Sequence, residues 1–301
     1  MDYAVEQGIN FFDTAEMYAI PPSPETQGLT EKYIGTWFKK NKKRNKIFLA
    51  SKVAGRNTDA QYLRPDNLEL CLNKKNIRYA IENSLKRLQI DHIDLYQIHW
   101  PDRDTNFFGR RGYQGNDTDD QKPSSLASMA STVIEEALEV FQKLIDEGKI
   151  RYIGLSNETP WGVMQFIKYA EMKGLPRIIS IQNAYSLILR EFEIGLSEMC
   201  VREGVGFLPY SPLAHGVLTG KYLDGARPVG ARFTITNRNS ERYNPPHAQG
   251  AIKKYIDLAQ KHGLDPAQMA LAFIISRPFV TSTIIGATIE AIHTEQPNPC
   301  T

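Results

Sequence analysis

The chain has 301 residues, 42% of them apolar and 23% charged, with 36 Lys and Arg against 34 Asp and Glu. That length buries one large core or two ordinary ones, and the near-cancelling charge excludes the basic field that draws nucleic acid or an anionic membrane. The three cysteines, Cys71, Cys200 and Cys300, stand far apart with no CxxC pair, which argues against a disulfide framework or a zinc site and for a reducing cytoplasm.

The opening "MDYAVEQGIN" has neither a cationic leader nor an apolar signal segment, and no apolar run reaches the roughly 18 residues of a membrane span. β-rich runs then follow at 9–13, 46–53, 92–100, 151–157, 178–183, 205–211 and 281–287. Most are apolar on both faces, as strands of a covered parallel sheet are. The run Lys39 to Arg44 reads as a solvated helix end and loop.

Helical periodicity fills the intervals. Ile77, Ile81, Leu85 and Leu88 share one face of a helix that Asn76 is placed to cap. Thr132 and Glu135 have capping-box spacing, followed by a stripe of Ile134, Leu138, Phe141 and Ile145 and a stop at Gly148. Thr159-Pro160 opens a helix that ends near Gly174, and Asp265-Pro266 opens another.

Strands alternating with helices, with no compositional break, predict a single α/β domain over residues 1–301. The candidates are a (β/α)8 barrel and a doubly wound sheet. A barrel gathers its functional groups at the C-terminal ends of its strands. The polar segments 101–131 and 222–247 would be loops over that face. With seven of eight strands recognisable, the barrel is expected to be incomplete.

Asp13, Lys52 and His99 each stand at a strand end, with Tyr18 just past the first. Each could be structural alone: Asp13 a turn cap, Tyr18 a loop aromatic, His99 a histidine bonded to backbone. Lys52 closes an apolar strand, where an ammonium is costly without a partner, and Asp13 on the preceding strand is the natural one. A free phenol, with a pKa of about 10, is a poor acid at neutral pH. A lysine cation beside it stabilises phenolate, a carboxylate keeps the lysine charged, and a histidine can orient a carbonyl oxygen.

The stretches "INFFDTAEMY", "ASKV", "YQIHWPD", "GKIRYIGLSNE", "IQNAYSL" and "YSPLAHGVLTGKY" resemble the aldo-keto reductase family. The tracts "PPSPETQGLTE", "SLKRLQIDHIDLYQIHWP" and "DPAQMALAF" look most like its bacterial Tas-like branch. The resemblance runs from Asp2 to Thr288 and implies a (β/α)8 barrel that moves hydride between NADP(H) and an aldehyde or ketone. It implies Tyr18 as general acid, Lys52 and Asp13 as its tuning pair, His99 as the carbonyl-orienting residue and Trp100 as a substrate-pocket wall, with no metal.

There is no GxGxxG, and "HGVLTGKY" has three residues between Gly216 and Gly220 where a P-loop has four, so neither phosphate motif is supported. The resemblance instead implies Ser156, Asn157 and Gln182 at the nicotinamide carboxamide and Tyr210 stacked on its ring. Ser211, Leu213, Gly216, Leu218 and Lys221 would follow the pyrophosphate, with Gly286, Ala287 and Thr288 as further contacts. NADP rather than NAD follows from family habit.

Two departures stand out. Met1 falls inside what corresponds to the first barrel helix, so the first strand is expected to be missing. After Thr288 the family's helical C-terminus is replaced by residues 289–301, an irregular tail with Pro297 and Pro299. Two alternatives therefore stand beside the reductase: a dinucleotide-binding regulatory subunit of the potassium-channel β type, and an inactive truncated barrel.

Overall fold

The computed structural model describes residues 1–109, 123–236 and 242–286, and of these the side chains outside 123–131. Ala287, Thr288 and the tail 289–301 lie outside the described residues. The chain divides into two compact units, Met1–Ile181 and Gln182–Thr301.

In the first unit a short helix α1 (Asp2–Glu6) leads into four parallel strands: β1 (Phe11–Asp13), β2 (Phe48–Val53), β3 (Ile93–Ile98) and β4 (Ile150–Ser156). Each pairs with the next. The register sets Asp13 opposite Ala50, Lys52 opposite Gln97, and Gln97 opposite Gly154. All six residues of β3 are buried, as in a strand covered on both faces, and the side chains of Asp94 and Gln97 are hydrogen-bonded.

Helix α2 (Leu29–Asn41) buries Ile34, Trp37 and Phe38, and Phe12 of β1 meets Trp37 at 5.6 Å between ring centres. The basic run forms the exposed end of α2 and the loop after it, as expected for Lys39, Lys40 and Lys42, with one exception. Arg44 turns inward, donating to the carbonyls of Ile47 and His92 and to the Asp94 carboxylate at 2.7 Å. Asp94, on β3, also accepts from the Leu49 N–H at 2.9 Å and from Arg151 at 2.7 Å, so one buried carboxylate ties three strands together.

Helix α3 (Lys74–Leu88) starts earlier than its sequence suggests. Asn73 is the cap, its side chain accepting from the Asn76 N–H at 2.9 Å, and Asn76 is buried in the first turn. Helix α4 (Pro123–Asp146) likewise begins nine residues before Thr132, with a proline at its first position. Its buried stripe ends on Leu144 rather than Ile145. Helix α5 (Pro160–Lys173) has the expected ends, Thr159 accepting from the Gly162 N–H and Gly174 in the left-handed conformation.

Strand β5 (Ser180–Gln182) carries the chain from the first unit into the second. The second unit holds α6 (Leu196–Glu203), β6 (Gly206–Phe207), the short α7 (Arg232–Ile235), α8 (Gln249–Lys261) and α9 (Pro266–Ile275). Asp265 caps α9 by accepting from the Gln268 N–H at 2.8 Å, as its Asp-Pro start predicts. Its core includes Val217, Leu218, Tyr222, Phe233, Ile252 and Ile256.

The strand expected at 281–287 does not form over its described part, 281–286. Thr281 and Ile284 donate to the carbonyls of Phe207 and Pro209, but the Phe207 N–H goes to the Thr281 hydroxyl at 3.0 Å instead of to a backbone carbonyl. Pro209 has no N–H to give. The ladder stops there, and six of the seven expected strands are present.

Candidate active site

The parallel register carries the four singled-out residues to one place in the first unit. Asp13 ends β1, Lys52 stands one residue from the end of β2, and His99 follows β3 directly. Strand side chains alternate between faces, so Lys52, two residues beyond the partner of Asp13, shares a face with it. The Lys52 ammonium has no exposed surface and donates to Asp13 Oδ2 at 2.5 Å and to the Thr14 carbonyl at 2.8 Å. It lies 5.1 Å from the centre of the Tyr18 ring, near enough for the phenol to help hold the lysine pKa up. Tyr18, half-buried, meets His99 edge to face, with ring centres 5.5 Å apart and planes at 78°.

The electrostatics separate the two bases. Burial by itself favours neutral Lys52; the Asp13 carboxylate and Tyr18 outweigh it and hold the lysine pKa above its ordinary value. For His99 burial and the neighbouring Lys52 cation act in the same direction and push its pKa well below the ordinary range. Lys52 is therefore a fixed cation and His99 a neutral imidazole. The His99 backbone N–H donates to the Val53 carbonyl at 2.8 Å, and its carbonyl accepts from Asn157 Nδ2 at 2.9 Å. Its buried Nδ1 has no hydrogen-bond partner among the described residues, a polar atom that a bound ligand can satisfy.

Trp100 is buried behind this group, its ring 4.8 Å from that of His99 and 5.8 Å from that of Phe108, and its Nε1–H donates to the Arg56 carbonyl at 3.2 Å. Gly55 runs directly over it: a Cβ there would stand 2.4 Å from the Trp100 carbonyl oxygen.

Three residues of this arrangement escaped sequence reasoning. Gln97 donates to Asp13 Oδ1 at 3.2 Å, and its alternation with His99 along β3 was the available signal. Glu16 and Arg64 form a buried bidentate pair at 2.8 and 3.0 Å. A carboxylate between Ala15 and Met17, two apolar residues, was the only hint of it.

The residues expected at the cofactor fall in both units. In the first, Ser156 and Asn157 are buried, linked by a bond of 3.1 Å from Asn157 Nδ2 to Ser156 Oγ, and Asn157 adopts φ +56°. In the second, Gln182 is buried at the end of β5 and Tyr210 is half-buried, its hydroxyl accepting from Arg242 at 3.1 Å. Ser211, Ala214, His215, Gly216 and Gly220 all have positive φ. Leu218 is buried, Leu213 half-buried and Lys221 exposed, and a Cβ on Gly216 would meet the Lys221 side chain at 2.7 Å. A run of left-handed residues is the backbone setting of anion-binding concavities, so this segment with its cation fits a pyrophosphate. It contains no strand-to-helix P-loop. Gly286 is exposed. No group of three or more potential metal ligands occurs among the described residues.

Residues 1–294 match the model of the aldo/keto reductase family. The chain belongs to that family. It is 52% identical to the protein Tas of Escherichia coli over 98% of this chain and 84% of that relative. It is 37% identical to an aldo-keto reductase of Babesia bovis, over 84% and 91%, and 30% identical to a probable voltage-gated potassium channel β-subunit of Arabidopsis thaliana, over 95% and 76%. Family membership makes the chain an oxidoreductase of small carbonyl compounds, and its parallel α/β architecture is that of an incomplete (β/α)8 barrel. No helix among the described residues is long and apolar enough to cross a membrane.

Proposed function

We propose that the chain is an NADP(H)-dependent reductase of aldehydes or ketones, a single family domain in which Tyr18 is the general acid. The observation that carries this reading is the buried Lys52 ammonium, held by Asp13 and lying 5.1 Å from the centre of the Tyr18 ring.

The chemistry follows from what each side chain can do. A carbonyl oxygen gains negative charge as hydride reaches its carbon, and a proton donor beside it lowers the barrier. The phenol of Tyr18 supplies that proton. Lys52 stabilises the phenolate left behind, and Asp13 keeps Lys52 charged despite its complete burial. His99, neutral, hydrogen-bonds the carbonyl oxygen and turns it toward Tyr18 without adding a second cation. Trp100 forms the pocket wall.

When bound, NADPH supplies the hydride. Ser156, Asn157 and Gln182 would hold its carboxamide, since amide groups both donate and accept, and Tyr210 would lie on the ring. Ser211, Leu213, Gly216, Leu218 and Lys221 would follow the pyrophosphate, with Gly286, Ala287 and Thr288 beyond. The two buried unpaired thiols, Cys71 and Cys200, agree with a cytoplasmic location.

A second reading, a regulatory subunit that binds the dinucleotide and acts on a partner, is favoured by the likeness to the plant channel subunit. One titration separates the readings. NADPH is added to the purified chain while tryptophan fluorescence is followed, with NADH alongside, and turnover of an aldehyde is then measured for the parent and Tyr18→Phe. The reductase reading expects saturable, NADPH-preferring binding in both proteins and turnover only in the parent. Binding without turnover in either favours the regulatory reading, and equal turnover in both removes Tyr18 from its role.

A further inference from the structure

Tyr18 sits in the loop between β1 and α2, and a loop side chain is a poor proton donor unless its backbone is fixed. Glu16 lies two residues before it and is 1% exposed. Every polar group of Glu16 is used. Its N–H donates to the Lys52 carbonyl at 3.2 Å and its carbonyl accepts from Gln27 Nε2 at 2.8 Å. Its Oε1 accepts from the Ala54 N–H at 2.7 Å and from Arg64 Nη2 at 3.0 Å, and its Oε2 accepts from Arg64 Nη1 at 2.8 Å. Arg64, 4% exposed, also donates to Asn76 Oδ1 at 2.7 Å and to the Leu63 carbonyl at 2.9 Å.

We propose that the Glu16–Arg64 pair is a positioning device that sets the distance between the Tyr18 hydroxyl and the Lys52 ammonium. This rests on the reading of Tyr18 as general acid. Glu16 touches β2 on either side of Lys52's neighbour Val53, through the Lys52 carbonyl and the Ala54 N–H. The carboxylate thus fastens the loop carrying the acid to the strand carrying its lysine. Arg64 anchors the carboxylate to the segment that leads into α3, so the fastening does not depend on the loop's own stiffness. A buried ion pair is a weak device for stability, because apolar residues of similar volume often serve as well. It is a good device for fixing one geometry, since charged groups forced apart in a dry interior have nowhere else to go. Proton transfer is sensitive to such placement, and about 1 Å of error costs on the order of 100-fold in rate.

The deciding variant is Glu16→Gln/Arg64→Met. It removes both charges together and keeps an acceptor for the Ala54 N–H. With 4-nitrobenzaldehyde and NADPH it is expected to melt like the parent, to bind NADPH and aldehyde within about twofold of the parent, and to lose about 10- to 100-fold in kcat. Its solvent deuterium isotope effect on kcat should rise, because proton donation becomes slower than the other steps. Glu16→Asp keeps both charges but shortens the reach by one methylene; it should lose kcat in the same way and leaves the test standing should the double variant not fold. Either variant melting normally with the parent's kcat and isotope effect overturns the proposal. Tyr18→Phe is measured alongside. Full activity there defeats the general-acid reading itself, whereas an inactive Tyr18→Phe beside an unaffected double variant defeats only the clamp.

Discussion

Gln97 and Lys52 stand opposite one another in the register of β3 and β2, and each holds one oxygen of Asp13: the amide donates to Oδ1 at 3.2 Å and the ammonium to Oδ2 at 2.5 Å. The carboxylate is thereby fixed in its plane as well as in its position. A single donor would leave it free to rotate about its Cβ–Cγ bond. With both oxygens taken, the charge that keeps Lys52 protonated stays where Tyr18 needs it.

Gln97→Leu should therefore loosen Asp13 without removing its charge. The lost hydrogen bond is worth about 1 kcal/mol of stability, and kcat should fall several-fold. Gln97→Glu should be worse, since a second carboxylate against Asp13 disfavours the ionised form of both. An order-of-magnitude loss of kcat in Gln97→Glu relative to Gln97→Leu, with both proteins folded by circular dichroism, is the expected result.

Asp13→Asn leaves the Lys52 ammonium buried without its counter-charge. Breaking a buried pair from one side costs about 3–5 kcal/mol. Urea unfolding should show a loss of that order, together with loss of turnover. A variant as stable as the parent would mean that Lys52 is content as a neutral amine, contrary to the raised pKa.

Two histidines set an acid limit. Burial, then the Lys52 charge, pushes the His99 pKa well below its ordinary value, and burial with help from Arg232 and Arg242 brings that of His215 to about 3. Both bind a proton more weakly in the folded chain than in the unfolded one, so unfolding takes up protons once the pH drops below about 6.5. Stability should be level above that pH and fall below it, by up to about 1.4 kcal/mol per pH unit for each histidine. His215 has φ +59°, which asparagine tolerates well. Urea midpoints from pH 7.5 to 5.0 should fall less steeply in His215→Asn than in the parent; parallel curves would count against the shift.

Gly55→Ala tests the packing behind the site. A methyl group there meets the Trp100 carbonyl at 2.4 Å and its ring at 2.9 Å. Overpacking of this kind costs about 1–3 kcal/mol. Because Trp100 backs His99, the substitution should also change tryptophan emission and raise KM for the carbonyl compound.

The sequence by itself determined the alternation of strands and helices, strands apolar on both faces, and helix ends with a local cap such as Thr159 and Asp265. These follow from periodicity and from hydrogen bonds closed within three residues, which a linear reading can see. It also marked Asp13, Lys52 and His99, because polar groups ending apolar strands are conspicuous. Only the tertiary structure decided that Lys52 and Gln97 face the same carboxylate, which depends on register. It alone decided that Glu16 meets Arg64, 48 residues away in the chain, and that 281–286 form no strand, the Phe207 N–H going to the Thr281 hydroxyl and Pro209 having none to give. Those outcomes turn on which groups lie within about 3 Å of each other across distant segments, and no periodicity along the chain records that.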